Sequence, residues 1–300
     1  MDVFLTGGSG FIGTALCHAL LADGHEVTVL TRRLESAAHL PPAVGRCLGD
    51  PTRPGAWQEE AARHQGFVNL AGASIFGRWS RGYKEVLRRS RIASTRNLVA
   101  ALAECEEPPV LVSASAVGYY GPHGDEELDE SAPPGEDFLA RLCRDWEAAA
   151  QEAEAQGARV VRARFGIVLG WRGGALARML RAFRLGLGGP LGSGRQWVSW
   201  VHLDDVVEAV LTCLEHPTLA GAFNFTAPAP VTNRELTRTL GRVLGRPSWL
   251  RVPAWVVRLV WGEMGSVLLT GQRVLPRALE RAGFVFRHPE LEGALRDLLA

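Results

Sequence analysis

Lysine is all but missing from this chain. Of its 33 basic residues one is lysine, Lys84, and the other 32 are arginine. Arginine stays protonated and cannot do lysine's titration chemistry. Any mechanism that needs a lysine therefore uses Lys84 or does without. Cysteine is sparse too: Cys17, Cys47, Cys105, Cys143 and Cys213 are an odd, widely spaced set with no CxxC pair. That argues against a disulfide framework or a cysteine-based zinc site and for a reducing, cytoplasmic setting. No HxxxH pair occurs among the histidines, and no metal is expected. Long apolar runs are lacking: Trp255 to Trp261 is short and broken by Arg258, so no segment spans a bilayer and no membrane partner is expected. The start, Met1-Asp2-Val3-Phe4, has no basic stretch ahead of its apolar run, unlike a signal peptide. A net charge of +1 gives no basic field for nucleic acid, which is not expected as a partner.

What is present is core material. Hydrophobic residues make up 47% of 300, enough for one large domain or a domain with an appended lobe. Asp2 to Thr6 reads as a buried strand, Gly7 to Gly13 as a glycine turn, and Thr14 to Ala22 as a helix stopped by Asp23-Gly24. Glu26 to Leu30 is a second strand, completing a βαβ unit. The alternation continues with strands at 44–48, 67–71, 110–113, 159–164 and 223–225 and helices at 83–103, 137–155 and 205–214. The last of these opens on a capping-box pattern, with Asp205 read as the N-cap. Strands alternating with helices predict an α/β fold, a Rossmann-like doubly wound parallel sheet. Residues 171–199, rich in glycine, and 227–300, with helix starts at Thr232 and Pro276, read as a smaller, mostly helical C-terminal lobe. The expected division is 1–170 plus 200–226 for the nucleotide-binding domain and 171–199 plus 227–300 for the lobe.

Gly7, Gly10 and Gly13 form a GxxGxxG pattern after the first strand and before the first helix. Glycine lets backbone approach a diphosphate and lets helix pack on strand, while the helix N-terminus offers free N–H groups to the anion. At the end of the second strand, where an NAD site usually carries a carboxylate for the ribose hydroxyl, stand Thr31, Arg32 and Arg33. Two guanidinium groups suit the extra 2′-phosphate of NADP.

The chain resembles the extended short-chain dehydrogenase/reductase superfamily. The resemblance is carried by Thr6 to Gly13, Asn69-Leu70-Ala71-Gly72, Ser113 to Gly121 and Trp200 to Val206. More narrowly it is similar to the NAD-dependent epimerase/dehydratase, or nucleoside-diphosphate-sugar epimerase-like, group. The blocks 183–200, 224–235 and 271–286 also resemble that group, including its C-terminal domain. The resemblance implies that Gly7, Gly10, Phe11, Ile12 and Gly13 hold the diphosphate and that Arg32 and Arg33 hold the 2′-phosphate. It places Asp50 near the adenine and Leu70 and Ala71 along the ribose. Arg78 would reach a phosphate, Ser113 and Ser115 would end the fifth strand beside the nicotinamide, and Gly166 to Val168 would lie near its amide.

One part of the superfamily pattern is broken. Its members usually carry Tyr-x-x-x-Lys, where lysine lowers the pKa of the tyrosine acid or base. Unaided tyrosine titrates at about 10. Four residues before Lys84 stands Ser80, and aligning the helix through Trp146-Glu147 puts Leu139 and Cys143 at the two positions. Three readings follow. Ser115 with Tyr119 or Tyr120 substitutes, an arginine supplying positive charge; another donor, even water, supplies the proton; or the chain binds NADP without turnover, as a sensor or scaffold. Arg91, Trp197 and Trp200 are candidates for contact with a small-molecule substrate, each with core packing or solvation as the alternative. Cys143 reads as a small core residue.

The resemblance implies an NADP-dependent oxidoreductase or epimerase-like protein that moves hydride to or from a carbonyl or secondary alcohol, with a sugar nucleotide as one substrate class.

Overall fold

The computed structural model describes residues 1–300. Its centre is a seven-stranded, wholly parallel sheet: β1 (Asp2–Thr6), β2 (Glu26–Thr31), β3 (Gly45–Leu48), β4 (Gly66–Asn69), β5 (Val110–Ala116), β6 (Arg159–Phe165) and β7 (Gly221–Phe225). They lie in the order β3-β2-β1-β4-β5-β6-β7. The order reverses between β1 and β4, and such a switch point opens a crevice at the carboxyl ends of the strands.

Side chains alternate across the sheet, so each strand serves two cores. Val3, Leu5, Val27 and Val29 join the core under α1 (Phe11–Ala22). Phe4, Leu30, Phe67 and Leu111 join the opposite core, with Leu98 and Leu102 of α2 (Arg81–Leu102) and Ala150 at the end of α3 (Phe138–Gln151). Asp137 caps α3, accepting from the Ala140 N–H at 2.7 Å.

The lobe has its own core. Leu176, Leu180 and Phe183 of α4 (Gly174–Arg184) pack with Trp200, with Leu236 and Leu240 of α6 (Asn233–Leu244), and with Leu295 of α8 (Leu291–Leu299). Between α4 and α6 runs α5 (Leu203–Glu215), which packs with α1 on the sheet. Thr232 caps α6 through a reciprocal capping box with Glu235. α7 (Ala254–Trp261) follows α6. No helix is long and apolar enough to cross a membrane.

One expectation is overturned. Asp205 is not the N-cap of α5. That helix begins at Leu203, and His202 caps it by accepting the Asp204 N–H at Nδ1, 3.1 Å away. Asp205 is the third residue of the helix, within its first turn, and is buried. Its carboxylate accepts the backbone N–H groups of Arg287 at 2.7 Å and His288 at 3.1 Å. A nearby chain that needed two acceptors claimed the carboxylate, and the histidine took over the cap.

Candidate functional site

The glycine turn is dictated by close approach. Gly7 has a φ of +73°, and a Cβ there would sit 2.7 Å from the Leu70 backbone. A Cβ on Gly13 would overlap the Gly7 carbonyl oxygen. Gly10 caps α1 without any side-chain hydrogen bond, so no side chain competes for the first N–H groups of that helix.

From this turn a cleft of about 790 Å³ runs over the ends of β1, β4, β5 and β6 and under the lobe. Its wall includes Gly7, Gly10, Phe11, Ile12, Gly13, Leu70, Arg91, Ser115, Gly166 and Trp197. Beneath it, buried polar groups tie the layers together. Thr6 Oγ1 donates to Asn69 Oδ1 at 2.7 Å, and Asn69 Nδ2 donates to Thr95 Oγ1 at 2.7 Å and Ser113 Oγ at 3.2 Å. Trp146 Nε1 adds a donation to Thr95 Oγ1. Each group is satisfied, which fixes the strand ends that bear the site. Ser113 thus belongs to this support, and Ala71 joins it through its N–H to Thr6 Oγ1.

Leu139 and Cys143 line the cleft beside the end of β5. Burial, then the Glu147 carboxylate, pushes the Cys143 thiol up to about 12, and it stays protonated and inert at neutral pH.

Ser115 is the polar centre. Its hydroxyl donates to Glu147 Oε1 at 2.7 Å. Glu147 is buried and held by Arg164, whose Nε and Nη2 donate to the two carboxylate oxygens at 2.8 and 2.9 Å. Arg162 Nη1 lies 3.6 Å away. Burial works against the Arg164 charge, but the hydrogen bonds and charge of Glu147 raise its pKa overall. Neither residue was singled out for the site from the sequence. The available signals were that Glu147 is one turn beyond Cys143 on α3, and that Arg162 and Arg164 interrupt an apolar strand on one face.

The two tyrosines are elsewhere. Tyr120 is fully buried, its hydroxyl donating to Asn224 Oδ1 at 2.7 Å and accepting from Arg164 Nη1 at 2.9 Å. Burial pushes its pKa up to about 12, with Arg164 and Asn224 pulling the other way. The Tyr119 ring stacks on the Arg164 guanidinium, 3.6 Å from its centroid. Neither tyrosine is in the cleft wall. Trp200 also lies outside it, in the lobe core, with Nε1 donating to the Ala229 carbonyl.

The cleft wall carries three arginines, Arg91, Arg178 and Arg181, and no Asp, Glu, Lys or His. Arg91 donates to the Ala73 and Leu87 carbonyls and packs over Trp146. Burial lowers its pKa. Trp197 is oriented by Nε1 donating to Asp125 Oδ1 at 2.7 Å.

A second cluster lies at the ends of β2 and β3. Arg32 and Arg33 are exposed just beyond buried Thr31. Desolvation raises the Asp50 carboxyl, but hydrogen bonds from Thr52 and the charges of Arg32 and Arg53 hold it below the usual carboxylate range. Asp50 Oδ1 is thereby turned into its own loop. Arg78 is exposed beside Gly262, and Val168 is half-buried. Neither is in the cleft wall.

A Rossmann-like parallel sheet, a glycine turn at its switch point and a lobe closing a cleft there define a nucleotide-binding α/β protein of the short-chain dehydrogenase/reductase kind. The NAD dependent epimerase/dehydratase family matches residues 3–224, and a domain of unknown function (DUF1731) matches residues 252–298. The chain belongs to that epimerase/dehydratase family. It is 42% identical to the chloroplastic epimerase family protein SDR39U1 homolog of Arabidopsis thaliana, covering all of this chain and 87% of that one. It is 45% identical to epimerase family protein Mb2239 of Mycobacterium bovis, covering 98% and 96%. Among solved structures it is similar to human epimerase family protein SDR39U1 (isoform 2) crystallised with NADPH, with a TM-score of 0.88, 37% identity and 99% of each chain covered.

Proposed function

We propose that this chain binds NADP(H) and moves hydride between it and a carbonyl or secondary alcohol, with Ser115, oriented by Glu147, in place of the missing tyrosine–lysine pair. The observation that carries this is the position of Ser115: in the cleft wall, with its hydroxyl tied to the buried carboxylate. The residues present fit the cofactor. Gly7 and Gly13 leave room that a Cβ would fill, and α1 has no side-chain cap. The human relative of similar fold was crystallised with NADPH. Gly7, Gly10, Phe11, Ile12 and Gly13 would hold the diphosphate. Leu70 and Ala71 would flank the ribose, Gly166 and Val168 the nicotinamide end, and Arg32 and Arg33, with Thr31 behind them, the 2′-phosphate. When bound, the cofactor supplies or accepts the hydride.

The chain's own residues manage the proton. Because the Ser115 hydroxyl donates its hydrogen bond to Glu147, its oxygen offers lone pairs to the cleft. A substrate hydroxyl there donates to Ser115 Oγ. As that O–H bond breaks, Ser115 takes the proton and passes its own to Glu147, and in the reverse direction the same two transfers run backwards. Arg164 donates to both carboxylate oxygens of Glu147 and holds them toward the Ser115 hydroxyl, so the cleft meets a hydrogen-bond acceptor at Ser115 Oγ. Arg91, Arg178 and Arg181, without a carboxylate among the wall residues, favour an anionic substrate. A sugar nucleotide is the class that the family resemblance implies. Trp197 offers it an aromatic edge.

A second reading is favoured by a specific observation: Leu139 and Cys143 line the cleft where the dyad is expected, and no tyrosine, lysine, histidine or carboxylate joins them in the wall. This is the binding protein that senses NADP(H) without turnover. Titration with NADPH and NADH followed by fluorescence, then addition of anionic carbonyls and sugar nucleotides, separates the readings. Tight NADPH binding with cofactor oxidation or an epimerised product supports the enzyme. Tight binding with neither supports the sensor. A preference for NADH contradicts the role given to Arg32 and Arg33.

A further inference from the structure

The lobe carries a charge imbalance that the net charge of +1 conceals. Residues 171–203 and 236–262 together contain ten arginines and no aspartate, glutamate or lysine. All ten arginines are exposed; Arg178 and Arg181 line the cleft and Arg242 is paired with Glu292, which leaves seven outside the cleft wall and without an ion-pair partner. The same segments expose large apolar side chains: Leu185 is 75% accessible, Trp249 77%, Trp255 67% and Leu259 70%.

These side chains come from neighbouring stretches of chain. Residues 188–192 run beside 250–252, joined by Leu250 N–H to the Gly188 carbonyl, Val252 N–H to the Pro190 carbonyl and Gly192 N–H to the Val252 carbonyl. Leu185 and Leu187 lead into the first stretch, and Trp249 opens the second. α7 follows directly. Trp255, Arg258 and Leu259 are exposed on it within one turn, while Val257 is buried. Arginine beside tryptophan and leucine is a composition that water alone does not favour. It matches a surface that is negative outside and apolar a few ångströms in. The guanidinium groups meet headgroup phosphates, and the tryptophan and leucine side chains enter the acyl boundary.

We propose that this face of the lobe docks on a bilayer containing anionic phospholipid, lying on the membrane without crossing it. This revises the expectation of no membrane partner, which rested on the absence of a spanning segment. Charge complementarity selects this occupant. A second copy, paired by two-fold symmetry, sets the patch against itself and opposes arginine with arginine. Single-stranded nucleic acid uses aromatic stacking platforms, whereas Leu185, Leu187 and Leu259 have no π-face.

The test is co-sedimentation of the full chain with vesicles of phosphatidylcholine alone or phosphatidylcholine mixed with phosphatidylglycerol. The expected result is binding to the mixed vesicles only, released as salt is raised. Trp255→Ser with Leu259→Ser, and separately Arg184→Glu with Arg246→Glu, should each weaken partitioning by about tenfold or more. Both pairs are solvent-exposed, so thermal unfolding should match the parent chain and certify the fold. The proposal is overturned by equal or no sedimentation with the two vesicle types, or by binding that neither folded variant weakens. It is equally overturned by a dimer that buries the patch, or by single-stranded RNA binding that persists while vesicle binding is absent. Its outcome does not depend on whether the cleft turns over a substrate.

Discussion

Ser115 Oγ lies 2.7 Å from Glu147 Oε1, a hydroxyl in the cleft wall bonded to a carboxylate behind it. This places an ionisable group one hydrogen bond from the cleft in a chain whose lone lysine is elsewhere. Lys84 itself is paired with Glu263 at 2.6 Å.

Glu147→Gln should lower stability by about 3–5 kcal/mol, the usual consequence of breaking a buried ion pair from one side. Arg164 would keep its burial and lose its counter-charge. Denaturant unfolding checks this, and Glu147→Asp should recover part of the loss if charge is what Arg164 needs.

Tyr120→Phe distinguishes structure from chemistry. It leaves Asn224 Oδ1 without its donor and Arg164 Nη1 with only the Glu130 carbonyl at 3.3 Å, which should cost about 1–3 kcal/mol. NADPH affinity should not change, because the hydroxyl faces away from the cleft. A large loss of NADPH affinity in a variant of normal stability contradicts the placement.

Much of this was legible beforehand. The seven-strand α/β alternation and the glycine turn follow from local pattern, since apolar runs of five and glycines at a strand end have few other uses. The start of α6 is visible too, in the capping-box spacing of Thr232 and Glu235. Glu147 and Arg164 were not, because their pairing joins a helix to a strand across the sheet and no spacing rule connects them. The surroundings of Tyr119 and Tyr120 were hidden for the same reason: nearness to Ser115 in sequence says nothing about which way a one-turn helix after β5 points its rings. Asp205 looked like a cap because the sequence shows the start of α5 but not the 287–288 backbone that needed its oxygens.

Arg32→Ser with Arg33→Ser should weaken NADPH binding by about tenfold or more and leave NADH binding nearly unchanged. Hydrogen bonds to a charged group are worth about 1.5–3 kcal/mol, and 1.4 kcal/mol is tenfold. Fluorescence titration with both cofactors reads the ratio. Gly13→Ala should abolish binding of both, because its Cβ would overlap the Gly7 carbonyl.

His202 should make stability fall in mild acid. Burial, then the adjacent His288, lowers its pKa below the ordinary value of 6.5. The unfolded chain therefore takes up a proton first as pH drops. Stability from this residue is present above about 6.5 and is lost as pH falls from there through the lower folded value. Unfolding measured across that range should show the slope, and His202→Asn should flatten it.

The most direct test of the central claim is NADPH oxidation with anionic carbonyl substrates, followed at the cofactor absorbance, for the parent chain, Ser115→Ala and Tyr119→Phe. The account predicts that Ser115→Ala lowers kcat by about 10²–10⁴, the usual worth of positioned proton transfer, with NADPH affinity retained, and that Tyr119→Phe stays near the parent rate. Parent-like turnover by Ser115→Ala, or its loss in Tyr119→Phe, would contradict it.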